Sequence, residues 1–589
     1  MRFSRRRGPK PRPSGLRPGG RGGVELLVPV LLGVTGLAAY HNAFHGPFVL
    51  DDLYAIQANE TIRTLWPPWG ALSPPAHSAV TGRPLANLSL AFNYAVDGLD
   101  VTSYHVFNLA VHIFSAVVLY AIVLRTLRSP GRLAADHTGA LGIATAVALL
   151  WVVHPLGSES VDYTIQRTEL LMSLFFLSTL YLALRGFESR ERRVWHAAAL
   201  VTFALGLGSK EVIAVAPIVV LAYDWLFWSA SLKDALRRHR LLYAGFAVVL
   251  VSFVVVVGAR FSRTLSGFAR DDVTPWEYAL TQSGVIVHYL RLAVWPAPLV
   301  ADYAGWPIAT SVASVLPSLA VIIALFGLTL WGVIRRRKLA FLGVIFFLVL
   351  APTSSFRPLP NEVAAERRMY LPLAATVVLV VLGAHALLRR LQAPRGVGTA
   401  LVTALAVSLA LVTVRRNSDY RTPLSFWSDV VSKRPNNPRA RLWLGNYLYR
   451  NGKKAEAYEH FEAAVRLQPG DGKAQYGFGV VLDSQGRTDE AIQHYRIALR
   501  IDPKNAWAHN NLGIALAGRR ETDEAIEHYR QAIRIEPGYA AAHNNLAAAL
   551  VQKGRTDEAI EHLETAIRLK PDWGNARRAL DNLRSRTSP

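Results

Sequence analysis

The segment Phe48-Val49-Leu50-Asp51-Asp52 sets two adjacent carboxylates shortly after the first membrane-length apolar run, residues 24–40. Folding supplies little reason to put a carboxylate pair there. A membrane enzyme would place a general base at such a point, in reach of water and backed by lipid. Asp51 and Asp52 are therefore the candidate catalytic residues, and repulsion between neighbours should raise the pKa of one of them. The structural alternative is a solvated helix end. His41 and His45 are close to Asp51 in the chain, so a divalent metal is an alternative, although the reading itself requires no metal and no other cofactor.

Composition says what kind of elements must position these groups. Of 589 residues, 51% are hydrophobic and 18% charged, with mean hydropathy +0.21. A soluble protein carries about 25% charge, so much of this chain must face lipid. The net charge of +23 comes from arginines clustered in short runs between apolar segments. That is the pattern of cytoplasmic loops and not of a nucleic-acid-binding face, and no nucleic-acid partner is expected. The lack of cysteine removes disulfides, Cys-ligated zinc and thiol nucleophiles.

Apolar runs fall at about 24–40, 104–124, 139–153, 169–184, 195–208, 212–228, 241–259, 312–333, 339–353, 370–388 and 399–414, roughly eleven crossings. The first run follows an Arg-rich segment and so also fits a cleavable signal peptide. Cleavage would detach the Asp51-Asp52 loop from its anchor, and a retained helix is expected. With the N-terminus inside, alternation puts Arg125–Arg132, Arg185–Arg193, Lys233–Arg240, Arg335–Lys338 and Arg389–Arg395 on the cytoplasmic side, as the positive-inside rule requires. The segment 278–296 carries His288 and Arg291 and is expected as an interfacial helix on the outer face. Loops 41–103, 260–311 and 352–369, the turns at Glu159 and Lys210-Glu211, and the C-terminal domain then lie outside. The chemistry is expected on that face.

Prolines 435, 469, 503, 537 and 571 recur every 34 residues. Within each unit small and apolar residues keep fixed offsets, as in Leu512, Gly513, Leu516, Ala525, Tyr529 and Ala532. This pattern resembles the tetratricopeptide repeat: Gly or Ala lets paired helices approach, an aromatic fills the gap, and proline ends the second helix. Four units suffice for a stable stack, with residues from Asp572 as a capping helix. Such arrays bind peptide on the concave face. Asn511 and Asn545 share one offset there, and in some repeat glycosyltransferases such asparagines hold the acceptor backbone. Only two of the four units have one, which fits general surface polarity equally.

Read in order, the outer motifs are Asp51-Asp52; Arg83-Pro84-Leu85 with Asn93-Tyr94; His105, Asn108 and His112; His154-Pro155 with Glu159, Arg167 and Glu169; Lys210-Glu211; and Glu366-Arg367-Arg368-Met369-Tyr370-Leu371-Pro372. This order, joined to C-terminal repeats, resembles the transmembrane-and-tetratricopeptide-repeat O-mannosyltransferases and their bacterial relatives, within the type C glycosyltransferases. The resemblance implies an all-α polytopic bundle followed by a repeat solenoid. It also implies transfer of a sugar, such as mannose, from a polyprenyl-phosphate carrier to protein Ser/Thr hydroxyls, with the repeats binding acceptor or other proteins. Related enzymes carry their catalytic acid at the position of Asp51, with Asp52 sharing the role or holding the acceptor. The departing phosphate needs cations, for which Arg83, Arg167, Lys210 and Arg368 are candidates, with Glu159 beside them. The lipid tail needs an interhelical groove, which the segment around Tyr289 and Trp295 could flank. Direct attack would invert the anomeric centre. The sequence departs from the family at Gly82-Arg83, at Ser160-Val161-Asp162-Tyr163 and at Arg368.

Each residue has a structural alternative. Lys210-Glu211 fits a snorkelling hairpin tip, and Arg367 and Arg368 fit helix anchors. Glu159 and Glu169 fit loop charges, and His105 and His112 fit packing or hydrogen-bonding roles. The expected domains are a basic cytoplasmic tail (1–23), the membrane glycosyltransferase domain (24–416), a linker (417–437), four repeats (438–571) and a cap (572–589). The expected setting is a bacterial plasma membrane with the repeats periplasmic. A non-enzymatic scaffold and a polysaccharide polymerase or ligase are the rival functions. The scaffold leaves eleven spans unexplained, and the polymerase has no need of a peptide-binding array.

Overall fold

The computed structural model describes residues 22–76, 78–129, 137–261, 273–356, 358 and 362–587. The basic tail through Arg21, and Arg132, lie outside the described residues. Among the described residues the fold is all-helical, with no strand. The first half comprises α1 (Gly22–Tyr40), α2 (Pro84–Asp97), α3 (Val101–Arg128), α4 (His137–Val152), α5 (Ser158–Asp162), α6 (Arg167–Glu188), α7 (Arg192–Leu207) and α8 (Ala216–Phe227). It continues through α9 (Leu232–Arg238), α10 (Arg240–Phe261), α11 (Pro275–Val294), α12 (Val312–Ile334), α13 (Ala340–Leu350), α14 (Pro372–Arg390) and α15 (Arg395–Asn417).

Every apolar run of the sequence coincides with one of these helices. Among the described residues five helical segments are long and apolar enough to cross a membrane, and up to seven if two bent pairs each count as one span. One bent pair joins 139–152 to 155–162 at 51°, and the other joins 211–227 to 232–238 at 113°. Three shorter apolar helices accompany them. The chain is a membrane protein. Helix α11 starts on a capping box, Thr274 with Glu277, and on Pro275 at its first turn. Its buried face runs through Tyr278, Gln282, Val285, Tyr289 and Leu292, while Trp276 and Trp295 stay exposed.

The second half is a solenoid. A connecting helix α16 (Pro423–Lys433) leads into four antiparallel pairs, α17 (Pro438–Arg450) with α18 (Lys454–Leu467), α19 (Gly472–Ser484) with α20 (Thr488–Ile501), α21 (Ala506–Gly518) with α22 (Thr522–Ile535), and α23 (Ala540–Gln552) with α24 (Thr556–Leu569). A final helix α25 (Gly574–Thr587) follows. Asn437, Asp471 and Asn505 cap the first helix of their pairs by accepting backbone N–H groups, which satisfies donors the helix start leaves open. The expected Gly–aromatic packing is present: a Cβ on Gly479 or Gly513 would lie 2.7 Å from the ring of Tyr495 or Tyr529.

The turn inside each pair is left-handed at one residue. Gly452, Gly486 and Gly554 take φ of +79°, +80° and +73° there, whereas the third pair has Arg520 at +64°. A side chain in that conformation costs about 1–2 kcal/mol, which glycine avoids. Arg520 is exposed, so Arg520→Gly should stabilise the repeats by about 1 kcal/mol. Thermal unfolding of the detergent-purified chain checks this, and a lowered repeat transition would refute it.

Candidate functional site

Three segments build the site: the loop after α1, the broken crossing from α4 to α6, and residues 362–370 before α14. Helix α3 supplies the clamps. His105 Nε2 donates to the Gly46 carbonyl at 3.0 Å. Asn108 Nδ2 donates to the carbonyls of Val161 and Thr164, both at 3.2 Å. His112 donates from Nε2 to the Val152 carbonyl at 2.9 Å, leaving Nδ1 to accept the Tyr370 hydroxyl at 2.6 Å. These histidines therefore hold backbone and ring partners in place.

The two aspartates have opposite surroundings. Asp52 is fully buried; its Oδ2 accepts the Val49 N–H at 3.1 Å and its Oδ1 accepts the Ile165 N–H at 2.7 Å. Burial pushes its pKa up to about 8, against the pull of those two amides. Asp51 is exposed. Its backbone N–H donates to the Tyr163 hydroxyl at 2.9 Å. Burial by the protein around it raises its carboxyl pKa, Glu362 adds to the rise, and Arg367, the Tyr163 hydroxyl and Arg439 oppose it. The site is a recess in the sense that the exposed Asp51 lies among buried or half-buried groups that act on it, Asp52, Tyr163, Glu362 and Arg367. Leu50, just before it, has φ +50°, a strained conformation for a branched residue and a frequent mark of functional loops. Burial raises Asp52 by far the more, so of the pair Asp51 is the readier to carry the negative charge.

Arg367 is the cation brought to this recess. Its backbone N–H donates to Glu159 Oε2 at 2.8 Å, and its guanidinium pairs with both Glu159 and Glu362. Burial works against the charge of Glu362, but Arg367 and Arg368 hold its pKa down at about 2. Glu366 is buried and accepts the Val300 N–H at 2.5 Å and the Tyr303 hydroxyl at 2.7 Å. Burial raises its pKa to about 7 even with Arg416 nearby.

The other expected site residues are placed differently. Arg368 is buried, with its donors on the carbonyls of Thr353, Glu362 and Val363. Arg167 is buried on Asn93 Oδ1 at 2.6 Å and on the Ser89 and Tyr104 carbonyls, under the ring of Phe107. Lys210 is buried in an ion pair with Glu169. Arg83, partly exposed, pairs with Glu211 at 3.2 Å. Asn511 donates to the Tyr476 hydroxyl at 3.1 Å, and Asn545 to Asn510 Oδ1 at 2.9 Å, both on the repeats. Glu159 is thus in the same cluster as Asp51, while Arg167, Lys210 and Arg368 have their charged groups engaged inside the protein. Among the described residues no three His, Asp or Glu side chains stand close enough together to hold a metal ion.

The motif names Arg367 and Arg368 together and Arg368 as the phosphate candidate, whereas Arg367, with Glu362 and Tyr163, is what stands beside Asp51. The four residues Glu366–Met369 form a 3-10 turn, in which neighbours point roughly 120° apart. A single residue step decides which arginine meets the recess, and no pattern in the motif reports that step.

Profiles of the tetratricopeptide repeat match residues 418–472, 444–506, 494–527 and 516–583. The chain is 25% identical to the protein O-mannosyl-transferase F38B6.6 of Caenorhabditis elegans, across 75% of this chain and 62% of that protein. It is 26% identical to the protein O-mannosyl-transferase Tmtc3 of Drosophila melanogaster, across 75% and 55%. The matches thus span less than two thirds of those relatives' own length. Among solved structures, that of MamA is 27% identical over 25% of this chain and 86% of MamA, with a TM-score of 0.24. Over three quarters of its length, the chain is related to the transmembrane-and-tetratricopeptide-repeat protein O-mannosyltransferases.

Proposed function

We propose that the chain transfers a sugar, mannose by analogy with its relatives, from a polyprenyl-phosphate carrier to Ser or Thr hydroxyls of proteins at the outer face of a bacterial plasma membrane. The observation that carries this reading is the exposed Asp51 carboxylate, held beside Arg367 on a strained loop. The acceptor oxygen attacks the anomeric carbon, and its proton passes to Asp51. The bond from that carbon to the phosphate oxygen breaks, and the electron pair leaves with the lipid phosphate. Attack opposite the leaving group inverts the anomeric centre. Arg367, between Glu159 and Glu362, and Arg83, paired with Glu211, are partly exposed cations that can meet the phosphate.

Asp52 takes a different part: it ties the loop to Ile165 and leaves Asp51 as the base. The lipid tail has a place in an apolar crevice between α3, α6, α8, α13 and α14, lined by Leu119, Phe176, Tyr223, Phe341, Leu371 and Val378. This is not the groove expected beside Tyr289 and Trp295, of which Trp295 is exposed. Leu371, one of the crevice's lining residues, directly follows the Arg367–Tyr370 segment in the chain. In this reading residues 24–416 carry the reaction with no metal, and the repeats at 438–571 present the acceptor.

Transfer of labelled sugar from a polyprenyl-phosphate donor to protein is the test. Asp51→Asn should lower it by about 100-fold or more, the range for a lost general base, while changing stability by less than about 0.5 kcal/mol because the side chain is exposed. Asp52→Ala should destabilise the chain by about 2–5 kcal/mol, since two buried N–H groups lose their acceptor. Unchanged labelling in Asp51→Asn would move the base elsewhere, and loss of labelling in chelator would reinstate the metal.

The pH dependence has a fixed sign. A base must be ionised, and the pKa of Asp51 is raised above 3.8, so activity falls as pH drops through that raised value. Tyr163→Phe removes a hydroxyl that holds the value down, and the acid limb of kcat/KM should move to higher pH. A limb that stays in place would separate Tyr163 from the titration.

A further inference from the structure

Helix α2 is built inside out. Its buried face carries the amides Asn87 and Asn93 together with Ala86, Leu90 and Ala91. Its outward stripe is apolar: Phe92 is 51% exposed, Val96 60%, and Leu99, just past the helix end, 42%. A helix set between protein and water turns its polar side chains outward. The two amides are occupied inside. Asn87 accepts Asn59 Nδ2 at 2.8 Å and donates to the Ala71 carbonyl at 2.8 Å and to Thr61 Oγ1 at 2.9 Å. Asn93 accepts the Arg167 guanidinium at 2.6 Å and donates to the Ser103 carbonyl at 3.0 Å. Asn87 thereby holds residues 59 and 71, the two ends of a loop, against α2, and the Arg63 guanidinium lies over the Tyr94 ring at 4.5 Å. Between these ties the loop raises Trp66 and Trp69, 83% and 72% exposed.

The helix lies across one end of the bundle. Its first turn is held at the end of α7, where the Leu85 N–H donates to the Gly208 carbonyl at 2.9 Å. Its last turn is folded onto the start of α3, where the Tyr104 hydroxyl donates to the Gly98 carbonyl at 2.9 Å. Helices α3 and α6 both begin beside Asn93 and both finish at the Arg125–Glu188 ion pair, at the opposite end. A crossing needs about 20 residues, so α3, counted back from Arg125, leaves the hydrocarbon near its own first turn. That is the level of Val96 and Leu99, and the first exposed residue of α3, Val106, continues the apolar surface into the span.

We propose that α2 and the Trp66–Trp69 loop form a lipid-binding surface that lies in the boundary between headgroups and acyl chains, beside the start of α3. The occupant is the bilayer, because the stripe and the loop are tied to the point where a spanning helix emerges, and because tryptophan favours that boundary. Lying flat, α2 holds Arg83 at its start at the depth of lipid phosphates. The inference does not depend on the sugar transfer.

The chain has no cysteine, so single ones can be introduced without background. Leu85→Cys, Val96→Cys and Trp69→Cys, each carrying an environment-sensitive fluorophore, are placed in nanodiscs of phosphatidylethanolamine and phosphatidylglycerol, where buffer reaches both faces. Lipid bearing a nitroxide high on its acyl chain is one quencher and aqueous iodide the other. Arg520→Cys, exposed on the repeats, is the reference in water. All three labels should be quenched by the nitroxide lipid, and by iodide several-fold less than the reference. With the label at Val96, Trp66→Ser and Trp69→Ser together should raise iodide quenching, since the loop no longer holds that end down. Iodide quenching at Val96 and Trp69 as strong as at Arg520 would overturn the inference. Labels shielded from both quenchers would overturn it as well, because a second copy of the chain would then cover the stripe. A label at Leu85 that answers to iodide, beside one at Val96 that answers to lipid, would overturn the flat placement and the depth of Arg83.

Discussion

A chain surrounded by apolar helices can leave the helical conformation only where the protein takes over the hydrogen bonds of the freed backbone. The crossing from α4 to α6 is built on that constraint. After Trp151 the chain bends by 51°, and residues 152–170 are all buried. His112 takes up the Val152 carbonyl, Thr413 Oγ1 takes the Val153 carbonyl at 2.8 Å, and Asn108 takes those of Val161 and Thr164. Asp52 accepts the Ile165 N–H in return. Helices α3 and α15 and the loop after α1 meet on this segment and supply these polar groups. The recess is a consequence: the same broken segment carries Glu159 to Arg367 and Tyr163 to Asp51.

Two neighbouring aspartates come to differ through backbone geometry. On a continuous helix Asp52 would be rotated about 100° from Asp51, but here both follow a residue outside the helical region. The left-handed Leu50 turns the chain so that one side chain enters the protein and the other stays out. The buried one is acceptable only because two amides point at it, since an untied buried carboxylate would cost several kcal/mol. Those amides belong to both ends of the clamp, Val49 in its own loop and Ile165 across the bundle. Strain at Leu50 is therefore offset by bonds made by its neighbour, which places the exposed carboxylate on a fixed mount.

Much of this was legible in the sequence, in proportion to how local the cause is. Apolar runs report helices because a backbone in an apolar setting must satisfy its own hydrogen bonds; each of the eleven runs falls on a helix, but among the described residues five to seven, and not eleven, are long and apolar enough to span. The 34-residue period reported the solenoid because each unit repeats one packing problem. Arg520 shows the limit even there: the turn needs a left-handed residue, and the sequence places an arginine where the other units have glycine. The polar residues were less legible, because their roles depend on which partners tertiary structure supplies. Arg167 and Arg368 look like surface cations in sequence, yet each ends on backbone carbonyls inside the bundle. The mean hydropathy of a segment cannot tell a cation facing solvent from one holding a loop. The crevice between α3, α6, α8, α13 and α14 was invisible for a related reason. A groove is the gap left by five helices, and no single helix encodes it.

The junction with the repeats gives the two halves a common logic. An array joined by a flexible linker raises the local concentration of whatever it holds, but most linker conformations point the cargo away. Here α16 and the start of α17 are fixed to loop 299–306 by side chains that reach its backbone carbonyls. Arg416, at the end of α15, pairs with Asp419 and Asp429 at 3.0 Å and so ties the connecting helix to the bundle at its other edge. With both ends of α16 held, the first repeat has one orientation relative to Asp51. The conformational entropy of presenting an acceptor is then lost once, in folding, and is not lost again at each encounter. For the proposed transfer, with its donor confined to the membrane and a chain as acceptor, the bundle would fix the one and a solenoid docked on loop 299–306 would present the other.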